Sequence, residues 1–380
     1  MITLEESRYD RAERITWWDQ AKLRASSVLV VGAGALGNEI VKNLTLVGVG
    51  SIEIVDMDII EHSNLSRCVF FKDGDEGRYK AELLAERAGL LNPDVTLHSH
   101  AVPVQRLGIG FLKEFDLVIG GLDNREARLW IGQACRKLDM FWVDGAIEGL
   151  QGLARVFGPT GPCYECTLGE VDRQVMAHRK SCALLTSAEV SSGRTPTNAT
   201  TSSVIAGVQT QEAVKLLTGN YDLVALGGKA WVFAGDSMLS YIIDYDEDEM
   251  CMSHDTYVSV VGPIELRPDT HLAACLSEIA EGLDFVPSAV DFEDDLIHLE
   301  GCPSCSSTQS RSFRSALGAG DGECASCGEL LKATSVTSIE WGSEALAANW
   351  LDWNPPNSDV VTLRSGESRV HVILKAGAQL

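Results

Sequence analysis

The stretch from Val28 to Arg67 constrains this chain more than any other. An apolar run, Val28-Leu29-Val30-Val31, stops at Gly32-Ala33-Gly34-Ala35-Leu36-Gly37 and passes into a helical pattern at Leu36, Ile40, Val41 and Leu44. That pattern reads as a buried strand, a tight glycine turn and a helix whose N-terminus can hold phosphate on free N–H groups. A second apolar strand, Ile52-Glu53-Ile54-Val55, ends on Asp56, placed to grip a ribose hydroxyl. Gly32, Gly34, Gly37 and Asp56 are therefore a candidate nucleotide cradle. A turn of this kind also serves NAD-dependent oxidoreductases. Asp58, Asn64 and Arg67 tip the balance, because they fill a polar loop where a dehydrogenase has no need of them.

Downstream, strands and helices alternate. Gly77-Arg78-Tyr79-Lys80 opens a helix carrying Leu83, Leu84, Ala88 and Leu91, which stops at Asn92-Pro93. Strands are predicted at Val95 to Leu97, Phe115 to Gly120 and Met140 to Val143, with a short helical piece near Leu107 to Phe111. A new helix begins at Gly121-Leu122-Asp123-Asn124. This alternation predicts an α/β fold with a Rossmann-like, doubly wound, mostly parallel sheet. Ligands of such sheets sit outside the carboxyl ends of the strands, so one pocket can collect Asp56, Asp58 and Asp123. Ahead of it, Ser7 to Arg24 is predicted to be a charged amphipathic helix.

Beyond Asp144 the pattern changes to an antiparallel extension, with strands at Gly152 to Phe157, Ala230 to Phe233 and Leu239 to Asp244. An apolar helix from Ser202 to Leu217 interrupts them. From Glu170 to Thr201 the chain is polar and irregular, too long for an idle connection, and it reads as a lid or binding loop. Residues 255–380 form a different block. It holds a helix from Pro268 to Gly282, an acidic strand-like stretch from Val290 to Leu299, two Cys-x-x-Cys pairs and short tail strands such as Val360 to Leu363 and Val370 to Ile373. The expected division is 1–254, with a crossover loop at about 170–201, followed by a small accessory domain at 255–380.

Composition excludes some functions. Lys and Arg number 31 against 54 Asp and Glu, a formal charge of −23. Such a chain is a poor general binder of nucleic acid and should repel anionic membranes, so an anionic ligand must be held by locally placed basic groups. No apolar run approaches a membrane span, and the first six residues are no signal peptide, so a cytoplasmic protein is expected. Eleven cysteines in a reducing compartment point to zinc before disulfides.

Residues 8 to about 254 resemble the ThiF-type adenylyltransferases, which include ubiquitin-activating enzymes and activators of sulfur-carrier proteins. The segments that carry the resemblance are RYDRAERI, GAGALG, IVDMDIIEHSNLSR, EGRYKAELLAE, NPDV, GLDNREAR, CYEC and VIAGVQTQEAVKLLTG. The resemblance implies that the C-terminal carboxylate of a small β-grasp protein attacks the α-phosphate of ATP, giving an acyl adenylate. Arg67 and Lys80 match the phosphate-contacting pair, Asn64 completes the site, and Asp123, with Asp58, would hold Mg²⁺. Arg11 matches an arginine that reaches the partner's active site, which implies a homodimer. Retention of Arg67, Lys80 and Asp123 argues against an inactive scaffold subunit.

Cys163 and Cys166 match the family's first zinc pair, while Cys251 and His254 stand where a second Cys-x-x-Cys is usual; Cys₃His suits tetrahedral zinc equally. Cys302, Cys305, Cys324 and Cys327 have the spacing of a separate zinc ribbon over 302–327, giving two structural sites. In a competing arrangement Cys163 and Cys166 borrow one of the later pairs. Cys182, beside His178, Arg179 and Lys180, lies where several members carry a reactive cysteine, and those cations favour its thiolate. A thioester there implies conjugation of a ubiquitin-like protein, with a downstream conjugating or acceptor partner. The alternative is sulfur-carrier adenylation without a thioester. Cys68, Cys135 and Cys275 read as packing residues.

Overall fold

A computed structural model describes residues 7–169, 196–267, 270–299, 302–305, 311–314, 324, 326–329, 331, 333–343, 346, 349–353 and 355–377. These fall into two compact units, one built from 7–104, 112–169 and 196–256 and the other from 105–111 and 257–377.

The first unit carries an eight-stranded sheet. In chain order its elements are α1 (Gln20–Ala25), β1 (Ser27–Val31), α2 (Ala35–Val47), β2 (Ser51–Val55), α3 (Lys80–Gly89) and β3 (Thr96–His100). The short helices α4 (Val104–Leu107) and α5 (Ile109–Leu112) lead to β4 (Leu117–Gly120), α6 (Arg125–Lys137), β5 (Trp142–Glu148) and β6 (Gln151–Phe157). The helix α7 (Ala199–Leu217) then precedes β7 (Lys229–Ala234) and β8 (Leu239–Asp244). The strand order is β3-β2-β1-β4-β5-β6-β7-β8. Neighbours from β3 to β5 are parallel, and those from β5 to β8 are antiparallel. The order reverses at β1, with β2 on one side and β4 on the other, and there the crevice for a ligand opens.

Burial follows the apolar runs. Leu29, Val30, Ile52, Ile54, Ile119 and Val143 are fully buried, as strands covered on both faces require. On α2, Leu36, Ile40, Val41 and Leu44 are buried, the face their spacing predicts. Gly48 ends α2 in the left-handed region (φ 78°), and a Cβ there would lie 2.4 Å from the Tyr9 hydroxyl.

The predicted single helix over Ser7 to Arg24 is not formed. Turns occupy residues 8–17 and only Gln20–Ala25 is helical. Tertiary anchors override the local helical pattern. Buried Tyr9 accepts from Asn92 Nδ2 at 2.8 Å, and Arg8 donates to the Leu91 carbonyl. Asp19 then restarts a helix by capping the Lys22 N–H at 3.0 Å.

The second unit has a six-stranded sheet of order β11-β10-β13-β14-β9, with β12 also paired to β10. Its strands are β9 (Val260–Leu266), β10 (Ala289–Leu299), β11 (Arg311–Arg314), β12 (Ala333–Glu340), β13 (Ser358–Ser365) and β14 (Ser368–Ala376); besides most of the short helices α4 and α5 it holds the longer helix α8 (Leu272–Gly282). Leu272 and Leu276 of α8 pack with Val290, Phe292, Val361, Leu363, Val372, Leu374, Trp350 and Trp353. Three strands escaped the sequence reading, the four-residue β11 between the two cysteine pairs among them. β9 contains Gly262-Pro263, a breaker that an edge position tolerates, and β12 is rich in Ser and Thr. Among the described residues no helix is long and apolar enough to cross a membrane.

The glycine turn can be tested directly. A Cβ at Gly37 would sit 1.8 Å from the Gly32 carbonyl oxygen, so something in the backbone must shift. Gly37→Ala should lower stability by about 1–3 kcal/mol in urea unfolding; an unchanged midpoint would refute the close approach.

Candidate active site

The crevice at the strand-order reversal is built from backbone contacts. Gly32 N–H donates to the Val55 carbonyl and Gly121 N–H to the Val31 carbonyl, each at 2.8 Å, which joins the exits of β2, β1 and β4. Gly32 has φ 101°, and a Cβ there would stand 2.6 Å from the Gly121 oxygen. Gly34 leaves open space where a Cβ would stand and brings no capping side chain to α2, so no side chain caps the N–H groups of the first turn.

Asp56 follows β2 directly. Its Oδ2 accepts from Ala33 N–H at 2.6 Å and its Oδ1 from Asp58 N–H at 2.8 Å, which ties the glycine turn to the next loop. A carboxylate has about four lone-pair sites, so these bonds leave room for a ligand hydroxyl. Burial raises the Asp56 pKa, while Lys80 and the two N–H donors partly offset that rise. Lys80 opens α3 and its ammonium holds Asp58 at 2.8 Å. Burial works against the Lys80 charge, but Asp56 and Asp58 outweigh it and raise its pKa. The site therefore presents a fully charged, partly desolvated lysine.

Asn64 is buried in a short 3₁₀ turn and accepts from Glu61 N–H at 2.9 Å, half of a reciprocal capping box that shapes the loop. Arg67 closes the turn and donates to the Ser63 carbonyl. Asp123, three residues past β4, is exposed. It is not the helix cap, because Asn124 takes that place and accepts from Ala127 N–H at 2.7 Å. Arg11 is exposed and makes no ion pair among the described residues. Cys182 lies outside the described residues.

Three supports were missed by the sequence reading. Asn38 is completely buried within α2; its Nδ2 donates to the Ala33 carbonyl at 2.8 Å and its Oδ1 accepts from Phe70 N–H at 3.1 Å. It therefore pins the glycine turn to the segment after Arg67. Gln209 of α7 donates to the Gly120 carbonyl at 2.8 Å. Beneath the crevice, Arg128 and Arg155 both bond Asp144. Asn38 offers only the signal of a polar residue inside an apolar helical pattern, while Gln209 and Arg128 fall within the segments VIAGVQTQEAVKLLTG and GLDNREAR that carry the family resemblance.

The first cysteine group comes together as predicted. Cys163 Sγ lies 3.7 Å from Cys166 Sγ and 3.6 Å from Cys251 Sγ, and His254 Nε2 lies 3.2 Å from Cys166 Sγ. Glu247 stands 3.4 Å from the other ring nitrogen, a carboxylate suited to fixing the tautomer. In the second unit Cys302, Cys305, Cys324 and Cys327 also gather, each set keeping its ligand atoms within 4.8 Å of one another. Each group is thus complete within its own unit, without Cys163 and Cys166 drawing on a later pair. Burial pushes the Cys163 thiol up, whereas the Ser326 N–H and its neighbours bring Cys324 down to about 6. Both donor sets fit zinc, and a thiolate at buried Cys163 needs a cation beside it.

Fold and crevice together define a Rossmann-like α/β protein with an open, glycine-lined ligand site. Residues 9–248 match the ThiF family, and the chain belongs to that family. The SAMP-activating enzyme E1 of Haloferax volcanii is 36% identical over 176 residues, 44% of this chain and 65% of that protein. The NEDD8-activating enzyme E1 catalytic subunit of Caenorhabditis elegans is 35% identical over 185 residues, 44% of this chain and 43% of that protein. The chain thus spans less than two thirds of either relative. The structure of E. coli MccB with ATP has a TM-score of 0.55 at 19% identity, covering 67% of this chain and 75% of that one, a likeness of fold.

Cys68 supplies a probe of this site. It is buried next to Arg67, and burial, partly offset by Arg67 and Lys80, pushes its pKa up to about 11. At pH 8 the thiol should stay protonated and resist iodoacetamide in the native chain, then react in urea. Alkylation of native Cys68 at the rate of a free thiol would contradict the described packing.

Proposed function

We propose that this chain is an ATP-dependent activating enzyme for a ubiquitin-like or sulfur-carrier protein of the β-grasp kind. The observation that carries the reading is the meeting of an uncapped α2 N-terminus, Asp56 and a charged Lys80 at one crevice, in a ThiF-family chain similar to two activating enzymes.

In this reading the carrier's C-terminal carboxylate attacks the α-phosphorus of ATP, the bond to the β-phosphate oxygen breaks, and pyrophosphate leaves. A carboxylate is already ionised at neutral pH, so no general base is needed. The protein's task is positioning and charge neutralisation. Gly32, Gly34 and Gly37 let phosphate approach the α2 N–H groups, Asp56 takes the ribose, Arg67 and Lys80 contact phosphate, and Asn64 shapes their loop. Asp123, exposed and without an ion pair among the described residues, is suited to hold Mg²⁺; Asp58 joins it after giving up Lys80. Arg11, similarly unengaged, reaches the site of a second copy in a homodimer.

A thiolate at Cys182 would then attack the acyl carbon and release AMP, leaving a thioester for a downstream partner. An exposed apolar strand supports a protein substrate: Leu239, Tyr241 and Ile242 on the edge strand β8 are each more than half exposed. Both cysteine groups would carry structural zinc, and residues 255–380 would act as an accessory domain that presents the loaded carrier.

Two measurements test these assignments. The chain is incubated with MgATP and small proteins ending in glycine, and intact masses are read with and without reductant. A thiol-sensitive adduct lost in Cys182→Ala is expected; adenylate without any such adduct would leave adenylation alone. Zinc released by a mercurial should amount to two equivalents, and to one in Cys251→Ser. Equal release from both proteins would remove the Cys163–His254 site.

A further inference from the structure

The ion network beneath the crevice has no role in the steps above. Asp144 is fully buried on β5, and it accepts from Arg128 Nε at 3.1 Å and from Arg155 Nε at 3.0 Å. The register pairs Gly120 with Asp144 and Asp144 with Arg155, so the network crosses the junction where the parallel half of the sheet becomes antiparallel. Two guanidinium groups against one carboxylate leave a buried positive charge. A hydrophobic row of similar volume is often at least as stable as buried ion pairs, so bulk stability does not by itself account for the arrangement.

Its geometry points upward to the site. The Arg128 Nη2 donates to the Gly145 carbonyl at 2.9 Å and also to the Leu122 carbonyl. Leu122 immediately precedes Asp123, and Asn124 on the other side is fixed by its capping bond to Ala127. The backbone is thus pinned on both flanks of Asp123 while the carboxylate itself stays exposed. Arg155 bonds the other Asp144 oxygen, Oδ2, with its guanidinium 5.1 Å from the Tyr164 ring centroid and 5.5 Å from that of Phe157. Magnesium demands near-ideal octahedral geometry, so a carboxylate that meets it gains from a fixed backbone.

We propose that Arg128, oriented by Asp144, is a positioning residue that sets the Asp123 carboxylate for the cation of the reaction. The inference rests on the adenylation reading for the role of Asp123. Lysine at position 128 would keep a charge for Asp144 but lose the planar fork that reaches Leu122 and Gly145 together.

The test is Mn²⁺ binding by the full chain in the presence of ATP, followed by electron paramagnetic resonance, with thermal unfolding run alongside. Arg128→Lys and Arg128→Met should weaken Mn²⁺ binding about tenfold, the scale of losing an outer-shell partner. Arg155→Lys, which does not touch the Asp123 loop, should lower the unfolding temperature and leave Mn²⁺ binding unchanged. If Arg128→Met does not fold, Arg128→Lys decides. Wild-type Mn²⁺ affinity in a folded Arg128 variant would overturn the proposal, as would an equal loss in Arg155→Lys. A wild-type chain that bound Mn²⁺ with ATP yet exchanged no pyrophosphate would overturn adenylation alone, because the effect of Arg128 on Mn²⁺ would remain measurable.

Discussion

Backbone packed on backbone at Gly32, Gly37 and Gly121 is the constraint on which the rest of the first unit depends. Virtual Cβ atoms at these positions fall between 1.8 and 2.9 Å from neighbouring backbone atoms. Only residues without side chains let β1 turn sharply into α2 while the β4 exit closes over the turn. That contact brings the ends of β2, β1 and β4 within reach of one ligand. Asp56 then bonds Ala33, Asn38 bonds Ala33 and Phe70, and Arg128 bonds Leu122, so each side of the crevice is tied to the next.

Charge is handled locally. The whole chain is strongly acidic, yet the crevice sets the buried-side cation Lys80 against Asp56 and Asp58. Lys80 is balanced by Asp58, which keeps a partly buried cation compensated. A phosphate that displaces Asp58 would take over that role and free the carboxylate for a metal. The Lys80–Asp58 ion pair is therefore one that substrate would exchange.

Much of this was legible in the chain. The inner parallel strands β1, β2, β4 and β5 announce themselves as short apolar runs ended by glycine or aspartate, and the family resemblance, with the Cys-x-x-Cys spacings, pointed to the donors that gather in each group. What stayed hidden has physical reasons. The turns over residues 8–17 form because Tyr9 and Arg8 find distant partners in Asn92 and Leu91, which no local pattern encodes. Asn38, Arg128, Asp144 and Arg155 look like ordinary polar residues until folding buries them, the last three against one another. β9 was concealed by its Gly-Pro pair and β12 by its polar composition.

The central claim is that the glycine-lined crevice activates a carboxylate with ATP and does not hold a dinucleotide for redox chemistry. ATP–pyrophosphate exchange, driven by a protein that ends in glycine, tests it most directly when wild type and Asp123→Ala are compared. Carrier-dependent exchange by the wild type that falls to background in the variant is expected. Full exchange by Asp123→Ala would contradict the proposed site, and NAD binding without any exchange would contradict the proposed reaction.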